Sequence, residues 1–167
     1  MAIYGISLSE RSEFILPEDP GNPENPAYKK AVEAGESTEA PTIFYLGNLT
    51  MADRVEIGDM TSSPTMRDGA ISIHANRTKR SMTTVRRALK GWDNFTGPDG
   101  EVFNFKTETF RRADGTNFEG PDDATMSHLT NDIVLQLQER IFELNGIEES
   151  FEKKLLTQPQ PSEGSLS

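Results

Sequence analysis

A small α+β fold is the class this sequence predicts, and three stretches predict it. Thr42-Ile43-Phe44-Tyr45-Leu46 is a run of β-branched and aromatic residues closed by Gly47-Asn48, the pattern of a short strand. Beyond Thr130, residues Val134, Leu137, Ile141 and Leu144 recur at three- and four-residue spacing, the pattern of a packed helix. Between them, Val85 to Phe105 carries the only tryptophan and three of the nine phenylalanines. The expected architecture is a short antiparallel sheet from 12–16, 42–46 and 102–105. Helices near 50–59, 74–90 and 130–145 pack it, with long loops and a disordered C-terminal tail between and beyond them.

Composition bounds the organisation. A chain of 167 residues suits one domain, placed at 1–156, plus a tail at 157–167. Only 34% of residues are hydrophobic, so part of the chain is expected to be extended or disordered. The absence of cysteine excludes disulfides, thiolate catalysis and cysteine metal sites. No apolar run approaches the roughly 18–20 residues that cross a membrane, and Met1 to Tyr4 lacks a basic, apolar leader. A cytoplasmic protein without membrane contact is the expectation.

The net charge of -10 is unevenly spread. Residues 1–42 hold eight acids and three bases, residues 119–167 ten and three, and residues 43–118 nine and eleven. Acidic ends flanking a weakly basic centre favour solubility by self-repulsion, or contact with a basic partner. Neither makes nucleic acid the main ligand.

Taken in order, 9–16 ends as a strand-like run at Pro17. Pro17 to Pro26 has four prolines in ten residues and reads as an extended loop, the start of a proline-rich insertion over 17–41. Tyr28 to Ala34 fits two helical turns stopped by Gly35. After the strand 42–46, Thr50-x-x-Asp53 has the spacing of a capping box, with aspartate in place of the usual glutamate. Asp53, Glu56 and Asp59 fall on one side of the helix it opens, and their polar context reads as a solvated face.

From His74 to Lys90, Ala75, Met82, Val85 and Leu89 share a face, while Arg77, Lys79, Arg80, Arg86, Arg87 and Lys90 cover much of the rest. No nucleic-acid reader motif accompanies these bases, so they read first as a solvated face and second as a contact for an acidic protein. Gly91 is expected to stop the helix with positive φ, and Lys90 to complement its last carbonyls. Trp92 and Phe95 follow, then the Gly97-Pro98-Asp99-Gly100 turn and the aromatic strand holding Phe103 and Phe105. Gly91, Trp92, Phe95, Gly100, Phe103 and Phe105 together form the structural keystone, because each buried aromatic hides roughly 150–250 Å².

Residues 106–127 read as a second long loop, with a hairpin across Ala113 to Thr116 and Phe110 and Phe118 in its arms. Thr130 caps the last helix and Leu129 can staple to Val134. Gly146 is a left-handed stop, with Ile147 touching Phe142 as in a Schellman ending. A short helix over 148–156 and a disordered tail complete the chain.

Chemistry is not evident in these residues. His74 and His128 lack metal-type neighbours, and there is no phosphate loop, nucleophile elbow, dinucleotide fingerprint or calcium loop. The expectation is a non-enzyme with no catalytic residue, no metal and no cofactor.

Phe44-Tyr45-Leu46-x-x-Leu49-Thr50-x-x-Asp53-Arg54, then Gly91-Trp92-x-x-Phe95 and Asp99-Gly100 before Phe103 and Phe105, and finally Leu129-Thr130 with its helix and charged ending, form a recognisable order. Over roughly 42–156 it resembles the small tail assembly chaperones and tail-associated structural proteins of long-tailed bacteriophages. The 17–41 and 106–127 segments make this chain larger than a typical member. The resemblance implies a bacteriophage tail assembly chaperone in the host cytoplasm. Such a chaperone binds the tape measure protein, a long helical chain, while tail tube protein polymerises around it. Val134, Leu137, Ile141 and Leu144 would then be candidate partner-binding residues, with self-association a further option. The alternative is a structural virion component, a minor tail or head–tail joining protein.

Overall fold

The computed structural model describes residues 9–62, 66–67, 70–71 and 73–147, with the side chains of 61–76 left undescribed. The expected helix at 148–156, the tail and the side chain of His74 lie outside the described residues.

Phe44 and Leu46 are at the centre, 0% and 1% exposed, on the middle strand of a three-stranded antiparallel sheet. Strand β1 (Arg11–Phe14) pairs with β2 (Ile43–Gly47) in the register Ser12 to Leu46 and Phe14 to Phe44. The hairpin between them carries the 17–41 insertion, as the sequence suggests.

That insertion is not extended where proline is densest. It coils through successive tight turns, closed by Asp19 N to Leu16 O, Asn22 N to Asp19 O and Asn25 N to Asn22 O. Side chains add hydrogen bonds in a stretch where each proline lacks a backbone N–H. Buried Asn22 donates Nδ2 to Leu16 O at 2.9 Å, and Asp19 accepts from Gly21 N and Thr42 N at 2.7 and 3.0 Å. Asn25 then caps helix α1 (Pro26–Glu33), with proline in its first turn, and Gly35 leaves it at φ 71°.

The third strand differs from expectation. It is Leu89–Asp93, pairing with β2 in the register Phe44 to Trp92 and Tyr45 to Gly91, with a bulge beside Leu46. Helix α3 (Ile73–Ala88) runs directly into it. Gly91 therefore stops nothing and does not take positive φ; the left-handed residue is Asn94, at φ 56°. The reason is burial. Leu89 and Trp92 are three residues apart, and the bulge, which passes over Lys90 between Leu89 opposite Leu46 and Gly91 opposite Tyr45, lets both face the core, with Trp92 opposite Phe44; β2 thereby gains a full partner that 102–105 could not provide from beyond the turn. Val102 makes only an isolated bridge to Thr96, and Phe103 donates its N–H to Phe95 O at 2.9 Å.

Helix α2 (Met51–Ser62) follows β2, and two-residue strands β3 (Met66–Arg67) and β4 (Ala70–Ile71) precede α3. Residues 106–127 are more ordered than a loop. Strands β6 (Thr107–Arg111) and β7 (Asn117–Pro121), counted after β5 at Leu89–Asp93, form the expected hairpin with Phe110 opposite Phe118. Helix α4 (Asp123–Ser127), capped by Asp122, was not expected. Gly120 allows β7 to lie against α3, because a Cβ there would stand 2.6 Å from Arg86 O.

Helix α5 (Asn131–Leu144) ends as its sequence predicts. Thr130 Oγ1 accepts from Ile133 N, Gly146 has φ 63°, and the N–H groups of Ile147 and Gly146 donate to Phe142 O and Glu143 O. Val134, Leu137 and Ile141, at 3%, 0% and 0% exposed, pack into the core with Val85, Leu89 and Met126, and partly buried Leu144 joins them. No helix among the described residues is long and apolar enough to cross a membrane.

The keystone aromatics share this core. Trp92 meets Phe95 and Phe105 edge-on at 4.9 Å between ring centres, and Phe95 meets Phe44 and Phe103 at 5.5 and 5.3 Å. Trp92 Nε1 donates to Phe103 O at 2.8 Å, so the indole pins the returning chain as well as filling space. The intervening turn closes through Gly100 at φ 78°, whose N–H donates to Gly97 O.

Candidate interaction face

The helix α2 begins with a reciprocal cap. Asp53 N donates to Thr50 Oγ1 at 3.1 Å, and Asp53 Oδ2 accepts from Thr50 N and Oγ1 at 3.0 and 2.8 Å. The other Asp53 oxygen is then free for a different task.

Asp53 Oδ1 accepts from Arg112 Nε at 2.9 Å and lies 3.5 Å from Arg87 Nε. One turn along α2, Glu56 accepts from Arg87 Nη2 at 2.6 Å. The Arg87 guanidinium lies 3.4 Å from the Phe118 ring centre, and Arg112 lies 5.2 Å from the same ring. Asp53 is 3% exposed and Arg87 6%, so the expected solvated faces of both helices are, at these positions, a buried charge cluster joining α2, α3 and the hairpin. Spacing placed the acids on one side of α2 correctly. It could not reveal that two arginines from other elements cover that side.

Electrostatics follow from the packing. Burial pushes the Asp53 carboxyl up, but the hydrogen bonds from Arg112 and Thr50 outweigh it and the net shift is downward. Burial lowers Arg87 against the opposing pull of Glu56 and Asp53, and burial likewise lowers Lys90. Arg87 Nη1 is buried without a hydrogen-bond partner among the described residues. A cluster of this kind fixes geometry more surely than it adds stability.

Most of the basic face of α3 is occupied in the same way. Arg80 lies over Phe142, Arg86 lies over Phe110 and pairs with Asp123, and Lys90 Nζ donates to Arg87 O at 3.0 Å.

Beside this cluster runs a groove of about 590 Å³ between α2 and the turn of the hairpin. Met51, Ala52, Val55 and Met60 supply its apolar side, and Asp59, Lys79, Arg112 and Asp114 its charged rim. A second recess of about 330 Å³ shares Glu56, Met60 and Lys79 and reaches Met82, Phe110 and Phe118. Met51 and Val55 are 75% and 57% exposed, the largest apolar exposures on α2. An apolar floor one helix long with a mixed-charge rim has the shape to take a row of side chains.

The sequence-derived candidates lie elsewhere. Val134, Leu137 and Ile141 belong to the interior and present no surface to a partner, because their stripe is buried in the core and α5 packs on α3. Met51 and Val55 were missed, although they sit four residues apart. The signal was masked because α2 is apolar on both sides, with Ile57 buried opposite them. No family model, curated protein or solved structure matches the chain.

Proposed function

We propose that this chain is a non-enzymatic binding protein of bacteriophage tail assembly, a chaperone that holds a helical stretch of the tape measure protein while tail tube protein polymerises. The observation that carries the reading is the groove beside α2. Met51 and Val55 stand four residues apart and exposed, and Asp53, Glu56, Arg87 and Arg112 hold the helix that presents them rigidly against the hairpin. A helical client with apolar residues at i, i+3 and i+4 matches such a row. The phage assignment itself rests on the order of motifs over 42–156. The groove supports a helical client of any origin.

Co-expression with a tape measure protein tests the reading. The intact chain should keep that protein soluble and co-purify with it. Val55→Glu should abolish co-purification while leaving the thermal midpoint nearly unchanged, since an exposed substitution alters stability by only about 0.5 kcal/mol. A tape measure protein that stays soluble without this chain would overturn the proposal. Mass spectrometry of purified virions separates the remaining alternative: fixed copy number in the particle makes the chain a structural component, and absence from it keeps the chaperone.

A further inference from the structure

The second recess, between α3 and the β6–β7 hairpin, carries more positive charge than the fold uses. Lys79, Arg86, Arg87 and Arg111 line it, and Glu56 is the one acid among its described lining residues. Arg86 is answered by Asp123, and Arg87 by Glu56 and Asp53. Lys79 and Arg111 are exposed and have no ion pair or side-chain hydrogen bond among the described residues. Two positive charges are therefore left over, on a chain whose net charge is -10. The apolar part of the lining is already fixed. Phe110 and Phe118 stack with ring centres 5.4 Å apart, Arg86 lies over the first at 4.8 Å and Arg87 over the second at 3.4 Å. Met60 and Met82 complete it. Little side-chain ordering remains to oppose a ligand there.

We propose that this recess binds a short acidic peptide segment of a partner protein, with one apolar side chain resting on Phe110 and Phe118 and flanking carboxylates meeting Arg111 and Lys79. Charge complementarity selects that occupant. A guanidinium free of partners takes a carboxylate through two parallel N–H donors, and an ammonium takes one from several directions. Arginine clusters recognise acidic motifs in this way. The two rings and two thioethers suit an apolar side chain set between the charges. Nucleic acid fits less well. A phosphate backbone needs a run of cations along its path, and the surplus of acids elsewhere in the chain repels a long polyanion. Exposed ion pairs add little affinity by themselves, so the apolar side chain supplies most of the binding and the two cations supply specificity. This site is independent of the tail-assembly reading. Lys79 lines the α2 groove as well, but Arg111 lines this recess alone of the two.

Fluorescence anisotropy of a labelled, end-blocked Glu-Asp-Phe-Asp-Glu peptide with the full chain tests the site. The peptide should bind, should bind less as salt rises, and should bind Arg111→Glu at least about tenfold more weakly. Lys29→Glu removes a cation on α1, outside the recess, and should change nothing. Both substitutions are at exposed positions, so the thermal midpoint should stay with the parent chain and a lost signal is not lost folding. Replacing the peptide's phenylalanine by serine should weaken binding as well, because the rings are then left uncovered. No binding, an equal loss with Lys29→Glu, or equal binding of the serine peptide overturns the proposal. Single-stranded DNA of the same net charge that binds as tightly also overturns it, and makes the recess a general polyanion surface.

Discussion

Asp53 and Arg112 are 59 residues apart in sequence and meet through a 2.9 Å hydrogen bond on the buried side of α2. The same carboxylate caps its own helix and stands 3.5 Å from Arg87. One side chain therefore ties helix initiation to the docking of α3 and of the β6–β7 hairpin.

Asp53→Ala should be among the most damaging single substitutions. It removes the cap and leaves two buried guanidinium groups without their shared anion, a change that costs about 3–5 kcal/mol when a buried pair loses one partner. Urea unfolding measures it. Pairing Asp53→Ala with Arg112→Ala should give a loss smaller than the sum of the single losses, because the two changes remove one network.

Acid should weaken the fold through the same residue. The Asp53 carboxyl titrates below its unfolded value, so its contribution is complete above that value and is lost as pH falls through the lower, folded one. Asp114 and Asp122 act in the same direction, held low by hydrogen bonds from Thr116 and Thr125. Stability followed from about pH 5 to about pH 2 should fall. Asp53→Asn should start lower and fall less steeply over that range.

Trp92→Ala should cost about 3–5 kcal/mol, the usual loss for a large aromatic removed from a core. Trp92→Phe keeps much of the packing and deletes only the bond to Phe103 O. Its cost should be about 1–3 kcal/mol, that of leaving a part-buried carbonyl without its partner. Thermal or urea unfolding of both variants separates filling from pinning.

Two glycines should respond oppositely to alanine. At Gly91 φ is not positive and a new Cβ would meet Tyr45 Cδ2 at 3.6 Å, an ordinary contact. Gly91→Ala should therefore change stability by less than about 1 kcal/mol. At Gly120 the same atom would lie 2.6 Å from the Arg86 carbonyl oxygen, backbone against backbone. Gly120→Ala should push the hairpin off α3 and cost more than about 1 kcal/mol, as overpacking does. A large loss at Gly91 would contradict its place within the strand.

The sequence by itself determined the α+β class, the α2 capping box, the 42–46 strand and its 12–16 partner, and the hairpin with Phe110 and Phe118 opposed. It also determined α5 with both its ends. Each is written in neighbours a few residues apart, through side-chain period, capping oxygens or a glycine that must be left-handed. Tertiary structure decided the rest. Whether Gly91 ends a helix or lies in a strand depended on β2 needing a partner that buries Trp92. Whether Asp53 and Arg87 are solvated depended on Arg112 and Phe118 arriving from the hairpin. The stripe on α5 was legible, but what it faces was not, since an apolar row looks the same whether it meets its own sheet or another molecule. The exposed row on α2 went unseen for the converse reason: periodicity records which residues are apolar, and only packing decides which of them are left uncovered.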